Sequence, residues 1–359
     1  MRDRKLVAVA VFAMLLICLP GIAQDQPKKL QKGSTLDGAA GLFKTIDAES
    51  LRQGEFNFSL GYDYLNRDPG ELNFRTLPVA FGIGLFDRVE IFGAVDVYKR
   101  VGASSTGVYR LIPGQLPRLA SSLTGAPSAM NDAPFMDVPK AKGMGDVRFG
   151  VKINALSERR GNPFGLSLLT FMKVPTHDSA TWLNRGLGTG EISGGAGLLF
   201  SKRGGDKAQL HFNTMVNFLS DAEVNAIKIG DLQNEFIYRG GAAFPAVGKW
   251  QVIAEADGKM YFGSRSHGLN PRSPVDLIAG LRAYPKDWMS IGAAYRATLN
   301  TLQDNPASQT YAANPHGFLV QMAFMNRRND PPTVTCAIQP NSIKQDETAT
   351  VRASAVDPD

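Results

Sequence analysis

Between residues 54 and 326, apolar and polar side chains alternate with a period of two. In the first stretch Phe56, Phe58, Leu60, Tyr62 and Tyr64 interleave with Glu55, Asn57, Ser59, Gly61 and Asp63. Successive side chains of a strand point to opposite faces, so this pattern predicts strands with an apolar and a polar side. About twelve such stretches follow one another, at 54–64, 72–85, 88–99, 146–156, 163–173, 191–202, 207–219, 232–244, 249–262, 274–284, 288–299 and 316–326. None carries a helical period. Two are irregular: 163–173 is apolar on both faces, with Leu169 and Phe171 candidates for the inner one, and 72–85 shifts register near Pro78, where a bulge is expected.

The connections sort by parity. Phe86-Asp87, 157–162, 203–206, 245–248 and 285–287 are short; 65–71, 100–145, 174–190, 220–231, 263–273 and 300–315 are longer. A soluble sandwich or solenoid also alternates, but its strands are shorter and its loops do not fall into two length classes. An even number of long strands, turning tightly at one end and loosely at the other, predicts an all-β fold: an antiparallel transmembrane β-barrel of about twelve strands, with short periplasmic turns and long extracellular loops.

The N-terminus fits this. Arg2, Arg4 and Lys5 precede an apolar run to Leu19, and Gly21-Ile22-Ala23 offers a cleavage site, so residues 1–23 read as a signal peptide. Cleavage there removes Cys18 and leaves Cys336 as the one cysteine, which excludes an internal disulfide. The remaining division is a periplasmic N-terminal segment (24–52), the barrel (53–327) and a tail (328–359). A formal charge of +6 is spread without a basic stripe, so no nucleic-acid partner is expected.

Parity places charges of both signs in the lumen: Glu55, Asp63, Glu90, Asp96, Asp146, Glu235, Glu255, Asp257 and Asp276 against Arg88, Arg148, Lys152, Arg239, Lys259, Arg282 and Arg296. Two designs are open: charges paired into a plug, or a wetted channel with a transverse field. The loop 100–145, with Leu111, Ile112 and Leu116, is either a surface loop or a constriction at the mouth. Aromatic residues near strand ends, among them Tyr64, Trp250, Tyr284 and Trp288, are candidates for interfacial belts.

The chemistry of an enzyme is sparse. His177, His211, His267 and His316 have no metal-ligand spacing, and the glycines of 186–195 lack the lysine of a phosphate loop. His211 and Asn213 share the lumen side, and no serine lies two residues from His211, which argues against a lipid hydrolase of the outer wall. No catalytic residue, metal or cofactor is expected.

The blocks "GLFKTIDAESLRQGEFNFSLGYDYLNRDPGE", "GLFDRVEIFGAVDVYKRV", "GDVRFGVKINALSERRGNPFGLSLLTFMKVPT" and "LNRGLGTGEISGGAGLLFSKR" resemble the barrel region of OmpA-type outer-membrane proteins. They are also similar to outer-membrane β-barrels grouped with phenol-degradation-type transporters. The tail "RRNDPPTVTCAIQPNSIKQDETATVRASAVDPD" resembles the opening of an immunoglobulin-like or PKD-like module. In the OmpA-type family such a module leads to a peptidoglycan-binding domain, which implies that the chain is truncated. The expected role is an envelope anchor and modest porin-like diffusion channel in the bacterial outer membrane. Its expected partners are outer-membrane lipid, lipopolysaccharide, small solutes and, through the absent domain, peptidoglycan. The alternative is a selective transporter of hydrophobic compounds.

Overall fold

The computed structural model describes residues 32–67, 72–102, 140–177, 187–224, 227–230, 232–263, 273–299, 316–327, 333–339 and 350–356. The signal peptide, the first residues of the N-terminal segment, residues 103–139 of the 100–145 loop and His267 lie outside them.

The strands are β1 (Phe56–Arg67), β2 (Leu72–Phe86), β3 (Val89–Gly102), β4 (Lys140–Gly143), β5 (Val147–Leu156), β6 (Gly165–Val174), β7 (Ser193–Arg203) and β8 (Gln209–Leu219). They continue with β9 (Ala222–Val224), β10 (Ile227–Gly230), β11 (Asn234–Phe244), β12 (Trp250–Phe262), β13 (Val275–Lys286), β14 (Met289–Thr298) and β15 (His316–Asn326). Each barrel strand pairs antiparallel with its neighbour, and β1 pairs with β15 from Phe56↔Asn326 to Leu65↔Gly317, which closes the sheet. β4 and β5 both pair with β3 and together form one stave, giving twelve. The small hairpin β9–β10 sits in a long connection and carries no alternation by which to foresee it. Beyond the barrel, β16 (Thr333–Gln339) and β17 (Thr350–Val356) form a separate antiparallel hairpin with Cys336 exposed.

Closure accounts for the alternation. With every interior strand paired on both sides, backbone groups are satisfied in hydrocarbon, and one face of each strand is left for lipid. On β2 the outward positions Leu77, Phe81, Ile83 and Leu85 are exposed, while Pro78, Ala80, Gly82 and Gly84 are buried inside. Leu77 to Leu85 covers roughly 26 Å along a tilted strand, the scale of an outer-membrane apolar band. Leu169 faces inward at 1% exposure while its neighbour Leu168 is exposed.

The irregularity near Pro78 belongs to its partner. Leu77 pairs with Tyr98 but Pro78 with Asp96, so Val97 of β3 is the extra residue. Below it Glu90, Phe92, Ala94 and Asp96 are buried; above it Val101 is, so the inward parity of β3 switches from even to odd. Proline has no N–H to donate, and a bulge opposite it spares the ladder that bond.

Aromatic residues mark both rims. Phe86, Trp250 and Trp288 are exposed at the short-turn end, where Trp288 stacks on Phe324 at 6.1 Å. At the other end Tyr62 and Tyr64 lie 5.4 and 5.2 Å from Phe318. Tyr284 is a correction: it is buried inside and donates to Gln251 Oε1 at 2.8 Å, so it belongs to the lumen rather than a belt.

Phe81 is 50% exposed near the middle of the apolar face. Phe81→Arg is expected to lower folding stability in lipid vesicles by about 2–4 kcal/mol, measured by urea titration, whereas Arg88→Ala at the turn changes it by less than about 0.5 kcal/mol.

Candidate functional site

The short-turn half of the lumen is occupied by the chain itself. Residues 33–52, part of the segment 24–52 expected in the periplasm, lie inside the barrel, and Leu36, Ala39, Ala40, Leu42, Phe43, Ile46, Ala48 and Leu51 are buried there. The reason is physical. Between Gly33 and Leu51 the amides of Thr35, Leu36, Gly38, Gly41, Leu42 and Asp47 donate to carbonyls of the segment itself, around the isolated bridges Ser34↔Ala40 and Gly41↔Ile46, but those of Ala40, Phe43 to Ile46, Ala48 and Leu51 do not. Buried peptide groups need partners, and the charged and polar inner wall supplies them.

Glu255 on β12 is the densest contact. Its Oε1 accepts from the Phe43 amide at 2.8 Å; its Oε2 accepts from the amides of Lys44 at 3.0 Å and Thr45 at 2.6 Å, and from Thr45 Oγ1 at 2.7 Å. Glu90 on β3 spans two passes of the segment, taking the Ala40 amide on Oε1 and the Leu51 amide on Oε2, each at 2.8 Å. Lys152 on β5 pairs with Glu90 at 3.0 Å and donates to the carbonyls of Asp47 at 2.8 Å and Glu49 at 3.1 Å. Both side chains are 0% exposed, so this ion pair is held up by the segment's own carbonyls and amides.

Arg282 donates to the carbonyls of Gly41 at 3.0 Å and Ser34 at 3.1 Å, and lies over the Phe43 ring at 4.8 Å from its centroid. Arg239 donates to the Lys44 carbonyl at 2.9 Å. Two outer tips of the segment meet the next layer of charges: Asp37 pairs with Arg148 at 3.3 Å and Lys44 with Asp63 at 3.1 Å. Glu55 accepts from the Arg52 amide at 2.9 Å where the segment leaves the barrel.

The remaining predicted lumen charges pair with one another toward the long-connection end. Arg296 meets Asp63 at 2.9 Å, Arg239 meets Asp257 at 3.0 Å, Arg148 meets Asp96 at 2.9 Å and Lys259 meets Glu235 at 3.5 Å. Asp276 pairs with Arg67 at 2.6 Å and Asp146 with Lys173 at 3.5 Å. Arg88 differs: it sits exposed in the tight turn after β2, because parity counted from the strand does not hold through a turn.

Uncharged polar residues at inward positions complete the grip. Asn213 accepts from the Ile46 amide and donates to the Ile46 carbonyl, both at 2.8 Å; Asn154 donates to the Ala48 carbonyl at 2.9 Å, and Ser201 accepts from the Ala48 amide at 2.7 Å. Their signal was inward parity alone. Close approach also needs small residues. Gly38 has φ 96, and a side chain there would begin 2.2 Å from the Phe81 carbonyl oxygen; at Gly82 one would begin 2.4 Å from the Gly38 carbonyl oxygen. Beside these polar contacts, Ala39, Ile46 and Ala48 pack on Phe92, Leu169, Leu199, Met215 and Ile237 of the wall, with Phe171 half-buried against them.

Ser201 and His211 do touch, Oγ to Nδ1 at 3.0 Å, with Asp47 accepting from Ser201 at 2.7 Å and lying 3.5 Å from the same Nδ1. A nucleophile relay needs serine and carboxylate on opposite imidazole nitrogens, and here they share one. The contact lies inside, under the segment, not on the lipid-facing wall. Burial opposes the Asp47 charge, but His211, Lys32 and Lys152 outweigh it and hold its carboxyl well below the usual range.

A family model described as MetA-pathway of phenol degradation matches residues 79–259, half of the chain, from the middle of β2 to β12. The chain belongs to this family. Of the two resemblances in the sequence, the phenol-degradation-type barrel is therefore the one that holds. No curated protein matches in sequence. Among solved structures, an outer-membrane channel from Pseudomonas putida F1 is 11% identical with a TM-score of 0.53, covering 78% of this chain and 98% of that one. The CymD monoaromatic hydrocarbon channel is 11% identical with a TM-score of 0.37, covering 77% and 89%. At these identities the first likeness concerns the fold.

Glu255→Ala removes the acceptor of three amides of the segment, those of Phe43, Lys44 and Thr45. Amide exchange across 40–48 is expected to speed up at least tenfold, with strand amides of β12 and β13 little changed. Since the Asp47 carboxyl is depressed on folding, its contribution is full above the ordinary carboxylate range and is lost in stronger acid. Protection factors in 40–48 therefore hold from neutral pH to about pH 4 and fall below it.

Proposed function

We propose that this protein is an outer-membrane channel for small hydrophobic compounds, of the chemical kind the family's phenol-degradation description suggests. The observation that carries the reading is the filled short-turn half of the lumen. A diffusion porin for polar solutes needs a continuous wet path, and here the axis is crossed by residues 33–51, bonded to both sides of the wall. A hydrophobic solute is less bound by that requirement, because it partitions into the surrounding hydrocarbon rather than needing water along the whole axis.

Inner-wall composition supports the same direction. Leu169 and Phe171, the large apolar residues on the inward face of β6, join Phe92, Leu199 and Met215, and Phe171 is the one of the β6 pair nearer the long-connection end. The paired charges around it leave few free ions to attract polar solutes.

The test is a pair of assays on the full chain in lipid. In proteoliposomes it is expected to speed uptake of phenol or toluene and not of a small sugar. In planar bilayers it is expected to be nearly silent, and deletion of 33–51 to give steady openings whose ion selectivity shifts with Arg148→Glu. Sugar permeation with large steady currents in the intact chain overturns this in favour of a diffusion porin. Silence both with and without 33–51, and no aromatic uptake, favours an anchor.

A further inference from the structure

On the outer wall, three cations share one rung. Arg75 of β2 is opposite Arg100 of β3, and Arg100 is opposite Lys142 of β4; one rung nearer the rim, Lys140 is opposite Gly102. Arg75, Lys140 and Lys142 are exposed and Arg100 half-buried, whereas Val101 and Ala141, which alternate with them, are buried inside. The bulge at Val97 creates this arrangement. Its parity switch turns Arg100 outward and Lys99 inward, where Lys99 Nζ donates to the Leu187 carbonyl at 2.7 Å.

Like charges directly opposite on adjacent strands repel, so such a row is unfavourable unless an anion lies across it. Neighbouring strands are about 4.8 Å apart, which places the three cations within about 10 Å, a span that one or two phosphate groups bridge. Among the described residues no carboxylate pairs with Arg75, Arg100 or Lys142.

The height of the row identifies the kind of anion. Arg75 is the outward position next after Leu77, the last of the apolar run on β2, and its guanidinium lies 5.6 Å from the centroid of Tyr64 on the same rung. Tyr64 and Phe318 belong to the aromatic belt, which marks headgroup depth. This is the long-connection end, the outward one in an outer-membrane barrel. We infer that Arg75, Arg100 and Lys142, backed by Lys140, bind the phosphate groups of an outer-leaflet glycolipid. The assignment rests on the outer-membrane placement proposed above.

The experiment uses the full chain in detergent and measures binding of bisphosphorylated lipid A by native mass spectrometry. The comparisons are its dephosphorylated form and inorganic phosphate. The site variant combines Arg75→Gln, Arg100→Gln and Lys142→Gln; a charge-matched control combines Arg88→Gln, Lys249→Gln and Lys286→Gln, all exposed near the short-turn end. Binding is expected to weaken about fivefold for each site charge removed, roughly a hundredfold in all, with the control unchanged. Equal binding by the two variants, or by both lipid forms, overturns the site. Competition by micromolar inorganic phosphate shows a free-anion site and overturns the lipid assignment. Heat-modifiable migration verifies each variant's fold, and membrane fractionation tests the placement separately from the binding result.

Discussion

The need of a buried peptide group for a partner governs both sides of this wall. In the sheet it is met by the strands, and closing β1 onto β15 leaves no barrel edge in the apolar band. In the lumen it is met by side chains. The segment 33–52 pairs only part of its amides and carbonyls by itself, and Glu255, Glu90, Lys152, Arg282 and Asn213 take up others. Charge in the short-turn half of the lumen is thus largely a set of backbone partners, while toward the long connections it is paired with opposite charge.

That distinction changes how an amphipathic barrel is understood. A carboxylate with several amide donors and a lysine with two carbonyl acceptors are satisfied without bulk water, so burying them costs far less than burying isolated ions. Apolar contacts of Ile46 and Ala48 on Leu169 and Leu199 add the ordinary gain of removing hydrocarbon from water. The lumen is built more like a protein core with a polar lattice than like a pore, up to the level of Asp37 and Lys44. Beyond it, paired charges such as Arg296–Asp63 and Arg239–Asp257 line the remaining depth.

Much of the wall was legible because a period of two and loop parity are local properties. The side on which Glu90, Lys152 and Glu255 lie followed from counting alternate residues. What they hold did not, because 33–52 has no period, and its burial depends on matching single amides to side chains up to 212 residues away. Arg88 failed because alternation ends where the chain turns, and Tyr284 because a residue near a strand end was judged by its type instead of its parity. The irregularity at Pro78 was visible; that the extra residue would be Val97 required knowing which strand gives way. Arg75 and Arg100 lie 25 positions apart, and only pairing register brings them side by side.

The inserted segment directly precedes β1, while its bonds reach β3, β5, β7, β8, β12 and β13. It therefore links staves far apart in the chain by a route other than the sheet itself. Such a thread works as an internal cross-brace. The ring is tied across its inside as well as around its seam at β1 and β15.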